Sequence, residues 1–325
     1  MMTGWPVPKI VVSECLGFAH CRYDGSIIPD RIVSALQSHV SFVPVCPEER
    51  IGLGTPRPPI RLVLSGDAVR LLQPDTGQDL TEAMQEFSRA FLAALSQIDG
   101  FILKNRSPSC AVRDAKLYPG EGRKASAGQR PGLFGEAVLQ TFPDLPVLDE
   151  GRLTNRHIRE HFLTAVFALA RLREVVSTGQ MGKLVDFHSR YKLILMAYHQ
   201  TQMRKLGRLV ANPERLPVAE VMARYQAGFR AAMLRPPRRP SVINVLMHAF
   251  GYFSKQLSPA EKAHFLDLLV DYRAGLVPLS TPTGVLQSWM VRFSQPYLEG
   301  QAFFRPFPEA LLTALDSGKG RVAGS

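Results

Sequence analysis

The sequence contains no run of about 18 apolar residues, so no segment reads as a membrane-spanning helix. Its opening, Met1–Gly17, lacks the basic flank and pure apolar stretch of a secretory signal. These absences set the expectation of a cytoplasmic protein with no membrane partner. There is no internal repeat and no low-complexity tract, which leaves repeat architectures aside. Cysteine is scarce, with four in 325 residues, and in a reducing compartment they are not read as disulfides. No two of them form a C-x2-C pair, so neither a zinc ribbon nor a bacterial ferredoxin fits. Acidic residues are in deficit: 28 Asp and Glu stand against 39 Lys and Arg, a net charge of +11.

The composition that remains is globular, 46% hydrophobic and 21% charged, and long enough for two domains. Both scarcities are unevenly distributed. Cys15, Cys21, Cys46 and Cys110 all fall in the first third of the chain, where cysteines serving only as small core residues would be scattered. Residues 1–145 carry 15 Lys and Arg and 15 Asp and Glu, whereas residues 146–325 carry 24 and 13. All the excess positive charge therefore lies in the second half. That is the footprint of a nucleic-acid-binding or membrane-surface module, or else a solvated basic face with no partner.

In residues 1–145, Lys9–Val12, Val40–Val45, Ile60–Leu64 and Phe101–Leu103 read as buried strands. Helix-like stretches, Ile28–Gln37 and Leu80–Ile98, lie between them, the second with Met84, Phe87, Phe91 and Leu95 at helical spacing. Alternation of this kind predicts an α/β domain with a mostly parallel sheet, whose sites gather at the loops leaving the strands' carboxyl ends. Cys15 follows the first strand, Cys46 the second, and Cys110 lies just beyond Phe101–Leu103. Three sequence-distant thiols are thus expected on one rim. The loop Tyr118–Gly132 reads either as a flexible surface loop or as a phosphate-contacting or lid segment. From Asn155 onward the period becomes helical, over Ile158–Val176, Gly182–Leu209, Val218–Leu234, Ser241–Gln256 and Pro259–Ala274. The organisation expected is an α/β domain at 1–145, an all-α domain at 146–316, and a disordered tail at 317–325.

Thiolates select zinc, copper(I) or iron–sulfur clusters. A cubane on three cysteines leaves one iron open, a Lewis acid able to bind a soft sulfur atom. Glu48, two residues after Cys46, and Ser107, three before Cys110, could move a proton or orient water at such a centre.

Four blocks in order carry a family resemblance: V-S-E-C-L-G at Val12–Gly17, C-R-Y-D-G at Cys21–Gly25, C-P-E at Cys46–Glu48 and L-K-N-R-S-P-S-C at Leu103–Cys110. With them, residues 9–145 resemble the thiouracil desulfidase (TudS) family. The resemblance implies a [4Fe–4S] cluster on Cys15, Cys46 and Cys110, catalytic assistance from Glu48 and Ser107, and Cys21 near the site without binding iron. Glu14 stands where the family usually has a small residue, and Ala111 where a glycine commonly follows. Residues 150–312 resemble the YbgA-like helical domain through E-G-R-L-T-N at Glu150–Asn155, F-H-S-R-Y-K-L at Phe187–Leu193, L-G-R-L-V-A at Leu206–Ala211 and N-V-L-M-H-A-F-G-Y-F at Asn244–Phe253. Proteins joining the two resemble tRNA 4-thiouridine desulfidases, which implies tRNA as the partner.

Candidate RNA contacts are His188, Arg190 and Lys192, the basic turn Arg204, Lys205 and Arg208, and the proline-flanked cluster Arg235, Arg238 and Arg239. The paired histidines His157 and His161 have helical metal-ligand spacing but no third ligand, and read as a surface pair. Phe250, Tyr252, Phe253 and Trp289 could stack on bases, but Met247, Phe250 and Phe253 have core spacing, and Asn244 with His248 reads as a buried polar pair. The function expected is hydrolytic removal of sulfur from 4-thiouridine in tRNA. The alternatives are a desulfidase of free thiouracil or thionucleosides, and a metal-stabilised RNA-binding protein without turnover.

Overall fold

The computed structural model describes residues 4–120 and 125–313. The chain begins with β1 (Lys9–Ser13), α1 (Arg31–Leu36), β2 (Ser41–Val45) and α2 (Pro47–Arg50). β3 (Arg61–Ser65), β4 (Ala68–Gln73) and β5 (Gln78–Asp79) follow, then α3 (Thr81–Ala94) and β6 (Gly100–Leu103). β7 (Ala115–Tyr118), β8 (Gly128–Arg130), α4 (Leu133–Thr141), β9 (Val147–Asp149) and α5 (Glu150–Leu153) come next.

Two sheets result. The first has the order β2-β1-β6-β9 with every pair parallel. Strands buried on both faces should be apolar throughout: Ile10, Val11, Val12, Phe101, Ile102 and Leu103 are all fully buried. β2 is an edge strand, which is where Pro44 costs no ladder hydrogen bond. The second sheet, β5-β4-β3-β7-β8, is mixed, with antiparallel hairpins on both sides of the parallel β3–β7 pair. Ile60–Leu64 therefore does not extend the parallel sheet, as its apolar character suggested; it pairs locally with β4 through a turn at Gly66, whose φ is +60°. The ends of the loop expected at Tyr118–Gly132 enter β7 and β8, while residues 121–124 lie outside the described residues.

The helical part comprises α6 (Arg156–Ser177), α7 (Met181–Ala211), α8 (Val218–Met233), α9 (Arg239–Gly251), α10 (Pro259–Ala274), α11 (Ser280–Phe293), α12 (Pro296–Glu299) and α13 (Ala310–Thr313). α7 is kinked at His199, whose φ of −158° and ψ of 86° are not helical. α10 starts with a capping box, Ser258 and Glu261 satisfying each other's backbone N–H. Phe187, Tyr191, Tyr225 and Phe229 fill the seam between α7 and α8, and Phe250, Phe253, Phe265 and Trp289 that among α9, α10 and α11.

The chain forms two compact units that divide at Ala170, inside α6. The first half of α6 lies on the parallel sheet, where a Cβ on Gly100 would meet Val166 Cγ1 at 2.9 Å. The parallel sheet runs past the compositional change near residue 145, since its strand β9 is Val147–Asp149, and the packing divides only at Ala170. The expected tail at 317–325 lies outside the described residues.

Candidate functional site

β1, β2 and β6 run side by side in one direction, with Ser13 opposite Val45 and Val12 opposite Ile102, so their carboxyl ends share one rim. Cys15 leaves β1 two residues after its end, half-buried. Cys46 leaves β2 and is the residue that starts α2, buried. Cys110 lies at the far end of the loop leaving β6, buried. Cys21, also buried, sits in the turn that follows Cys15, and its carbonyl accepts from the Cys46 thiol at 3.7 Å. All four cysteines are free thiols. A hydrogen bond to Cys15 pushes the Cys21 thiol up to about 12. The Cys46 thiol is raised by its hydrogen bond to Cys21 and by burial, and Cys110 by burial. Among the described residues, no three His, Cys, Asp or Glu side chains converge closely enough to hold a single metal ion. The donor set is soft and all-sulfur, which suits a cluster that spreads its thiolates over separate irons rather than a hard cation.

Glu48 lies in the first turn of α2. Its Oε2 accepts from Arg57 Nε at 2.9 Å and Nη2 at 2.6 Å, and its Oε1 accepts from Ser109 Oγ at 2.5 Å. Burial acts to lower the Arg57 pKa, but the Glu48 carboxylate beside it prevails and holds it above the usual value. Ser107 does a different job: its Oγ accepts the backbone N–H groups of Ser109 at 3.2 Å and Cys110 at 3.0 Å, closing the turn that presents Cys110. Sequence reasoning missed Arg57 and Ser109. Ser109 was visible as the second serine of S-P-S-C; Arg57 has no motif around it.

The loop leaving β6 is fastened twice. Lys104 pairs with Glu150, whose other oxygen accepts Asn105 N–H at 2.8 Å. At its far end, Gly132 N–H donates to Ala111 O at 2.9 Å, Leu133 N–H to Pro108 O at 3.1 Å and Gly135 N–H to Ser109 O at 3.0 Å. The amino end of α4 therefore sits directly on the carbonyls around Cys110. Beside Cys21 opens a cavity of about 400 Å³ lined by Glu14, Ala19, His20, Cys21, Glu49 and Arg50.

The residues singled out for RNA lie in the second unit. His188 turns inward, its Nδ1 3.0 Å from the Tyr225 hydroxyl, and burial together with Lys192 lowers its pKa. Arg190 pairs with Asp186 at 2.9 Å. Arg204, Lys205 and Arg208 are exposed, the last two lining a cleft of about 150 Å³ with Asn212, Glu214 and Arg224. Arg235, Arg238 and Arg239 are exposed; the Arg239 guanidinium lies against Gly275, where a Cβ would stand 2.8 Å from Nη1, so it covers the carboxyl end of α10. Phe250, Phe253 and Trp289 are core residues, but Met247 is exposed despite its spacing. Asn244 and His248 are exposed rather than buried, because α9 turns that face to solvent. His157 is exposed and His161 half-buried.

Residues 10–150 match the 2-thiouracil desulfurase family, and residues 192–308 match DUF1722, a family of proteins of unknown function. The uncharacterised protein YbgA of Escherichia coli (strain K12) is 31% identical over 151 residues, covering 46% of this chain and 89% of that protein. The uncharacterised protein YbbK of Bacillus subtilis (strain 168) is 36% identical over 110 residues, covering 31% of this chain and 72% of its own length. A solved structure titled as the [4Fe-4S]-dependent thiouracil desulfidase TudS is 27% identical, with a TM-score of 0.35, and covers 45% of this chain and 93% of that chain.

Proposed function

The chain belongs to the 2-thiouracil desulfurase family through residues 10–150, joined to a YbgA-like DUF1722 domain, and we propose that it is a desulfidase acting on a thiolated pyrimidine. The observation that carries this reading is the placement of three sequence-distant thiols along the rim of one parallel sheet, with a carboxylate gripped by a buried arginine in the helix that Cys46 starts. Cys15, Cys46 and Cys110 are the residues that would hold a [4Fe–4S] cluster. That group, when bound, supplies Lewis acidity toward the thiocarbonyl sulfur. The overall reaction exchanges C=S and water for C=O and hydrogen sulfide, with no net oxidation.

The chain's own residues supply the proton transfers. Glu48 accepts a proton from the attacking water. Ser107, hydrogen-bonded to the Cys110 side chain while its oxygen is held by two backbone N–H groups, orients that loop, and the proton that Glu48 takes from water passes on to the departing sulfur. The cavity beside Cys21 gives a planar base a route in.

The family's description names a free thiouracil, and that is the first substrate to test. A second reading, thiouridine carried in tRNA, draws on the charge distribution, neutral up to residue 145 and +11 beyond it, with the exposed Arg204, Lys205 and Arg208 among its carriers. A base in tRNA would have to leave its stack to reach the site. The test is sulfide release by anaerobically reconstituted protein from 2- and 4-thiouracil and from thiouridine-containing tRNA, with iron and sulfide counted per chain. Cys15→Ser, Cys46→Ser and Cys110→Ser should each abolish the iron–sulfur absorption, and Cys21→Ser should weaken it less. Glu48→Ala should keep the cluster and lose about 10²–10⁴-fold in turnover. Absence of sulfide release from all three substrates would leave a non-enzymatic RNA-binding protein as the better reading.

A further inference from the structure

The Glu48 carboxylate is gripped on both oxygens, and the grip on one side comes from a residue outside every motif of the chain. Arg57 is 7% exposed and spends its guanidinium on three separate segments. Nε and Nη2 fork onto Glu48 Oε2, Nη2 also reaches Cys21 O at 2.9 Å, and Nη1 donates to Gly54 O at 2.8 Å and Thr55 Oγ1 at 3.1 Å. From the opposite side, the fully buried Ser109 donates to Oε1. A buried ion pair is weak evidence for stability, since desolvation offsets most of the attraction and an apolar filling often does as well. Here both fork N–H groups meet one oxygen, Oε2, while Ser109 holds Oε1, so the two donors together fix the plane of the carboxylate and the guanidinium fixes where Oε2 sits. One guanidinium thus ties the Oε2 end of Glu48 to the turn that carries Cys21.

We propose that Arg57 is a positioning residue for the reaction, acting through Glu48 by locking its carboxylate in place relative to the Cys21 turn. The inference rests on the desulfidase reading above. Arg57 spends its N–H groups on Glu48, the Cys21 and Gly54 carbonyls and the Thr55 hydroxyl, so its effect on turnover passes through the Glu48 carboxylate. A misplacement of about 1 Å at a reacting group costs roughly 100-fold, so Arg57→Gln should lower kcat by about that factor. KM and the iron and sulfide content should stay near wild type. Arg57→Lys, which keeps a charge but loses the fork, should fall between.

The deciding experiment is a double-mutant cycle with Glu48→Gln. On that background Arg57→Gln should change kcat by less than about 3-fold, because the group through which it acts has lost its function. Melting temperature of the metal-free chain and iron per chain are read on every variant. Equal kcat losses on both backgrounds, or a loss of iron in proportion to activity, would make Arg57 a structural brace and overturn the proposal. If Arg57→Gln fails to fold, the same cycle with Arg57→Lys decides, a background-independent loss again counting against it. A wild type that releases no sulfide from any thiopyrimidine overturns the desulfidase reading and this inference together. An active wild type with additive losses overturns this inference alone.

Discussion

Gly135 tests whether the Cys110 loop is held by close backbone packing. It lies three residues into α4, where helix propensity favours alanine over glycine by about 1 kcal/mol. A Cβ at that position would stand 2.2 Å from Ala111 O, 2.9 Å from Cys110 O and 3.0 Å from Ala111 C, against 3.4 Å for ordinary contact. All three neighbours are backbone, so no side chain can swing aside. Either α4 or the loop must move by more than 1 Å, which strains the Gly135 N–H bond to Ser109 O. Overpacking of this kind costs about 1–3 kcal/mol, and a weakened hydrogen bond about 1 kcal/mol more. The net expectation for Gly135→Ala is a loss of about 2 kcal/mol, or roughly 4–8 °C in melting temperature for a unit of this size. Iron per chain after reconstitution should also fall, because Cys110 moves with the carbonyls. Gly284 in α11 has nothing within 4 Å of its would-be Cβ, so Gly284→Ala is the control and should gain up to about 1 kcal/mol. Melting curves of the metal-free variants and iron assays read both effects. If Gly135→Ala stabilises as Gly284→Ala does and loads iron normally, the loop is not fastened by this contact.

Two further outcomes concern the helical unit. If RNA binds there, reversing Arg204, Lys205 and Arg208 to Glu should flatten the salt dependence of tRNA binding, whose log–log slope is about −0.7 to −0.9 per phosphate contact; it should raise KM for tRNA and leave turnover of free thiouracil unchanged, and salt-independent binding would return this face to bare solvation. Burial, with Lys192 beside it, lowers the His188 pKa below 6.5, so between that value and its folded value the unfolded chain binds more protons. The His188 contribution is therefore complete above pH 6.5 and drains away as pH falls through the folded value. Thermal scans from pH 7.5 to 5, wild type against His188→Gln, should show a steeper acid loss in wild type, and parallel curves would refute it.

The parallel sheet was legible because its central strands are buried on both faces, and such strands read as unbroken apolar runs: Ile10–Val12 and Phe101–Leu103 leave little else to be. Ile60–Leu64 has the same look but another fate, since hydrophobicity reports burial and not the partner; only the tight turn at Gly66 sends it back into a hairpin. β9 was missed because three residues between Pro146 and a helix make too short a pattern. The cysteine rim followed from a topological rule and needed no side-chain detail. The groups that align it did not follow. Arg57 bonds to Glu48, nine residues away, and to Cys21, thirty-six away, and Ser109 reaches Glu48 across sixty-one. No local period encodes pairings of that range. Glu150 is a related case: its carboxylate serves the loop leaving β6, forty-five residues away in sequence.

The placement of these groups bears on how the two substrate readings should differ. Ser13, Cys15, Cys21, Cys46, Glu48, Arg57, Ser107, Ser109, Cys110 and Glu150 all lie within the first compact unit. The excess positive charge lies beyond residue 145. If the chemistry is confined to the first unit, the second has no lever on the bond-breaking step, and its basic helices would alter only which molecule arrives and how long it stays. Uniform binding of that sort lowers KM without raising kcat. A tRNA substrate should therefore share its kcat with the corresponding free thiopyrimidine and differ in KM, with the difference shrinking as salt rises. A tRNA that turned over faster at saturation would require the helical unit to contribute to the transition state, and the division of labour argued from the charge distribution would fail.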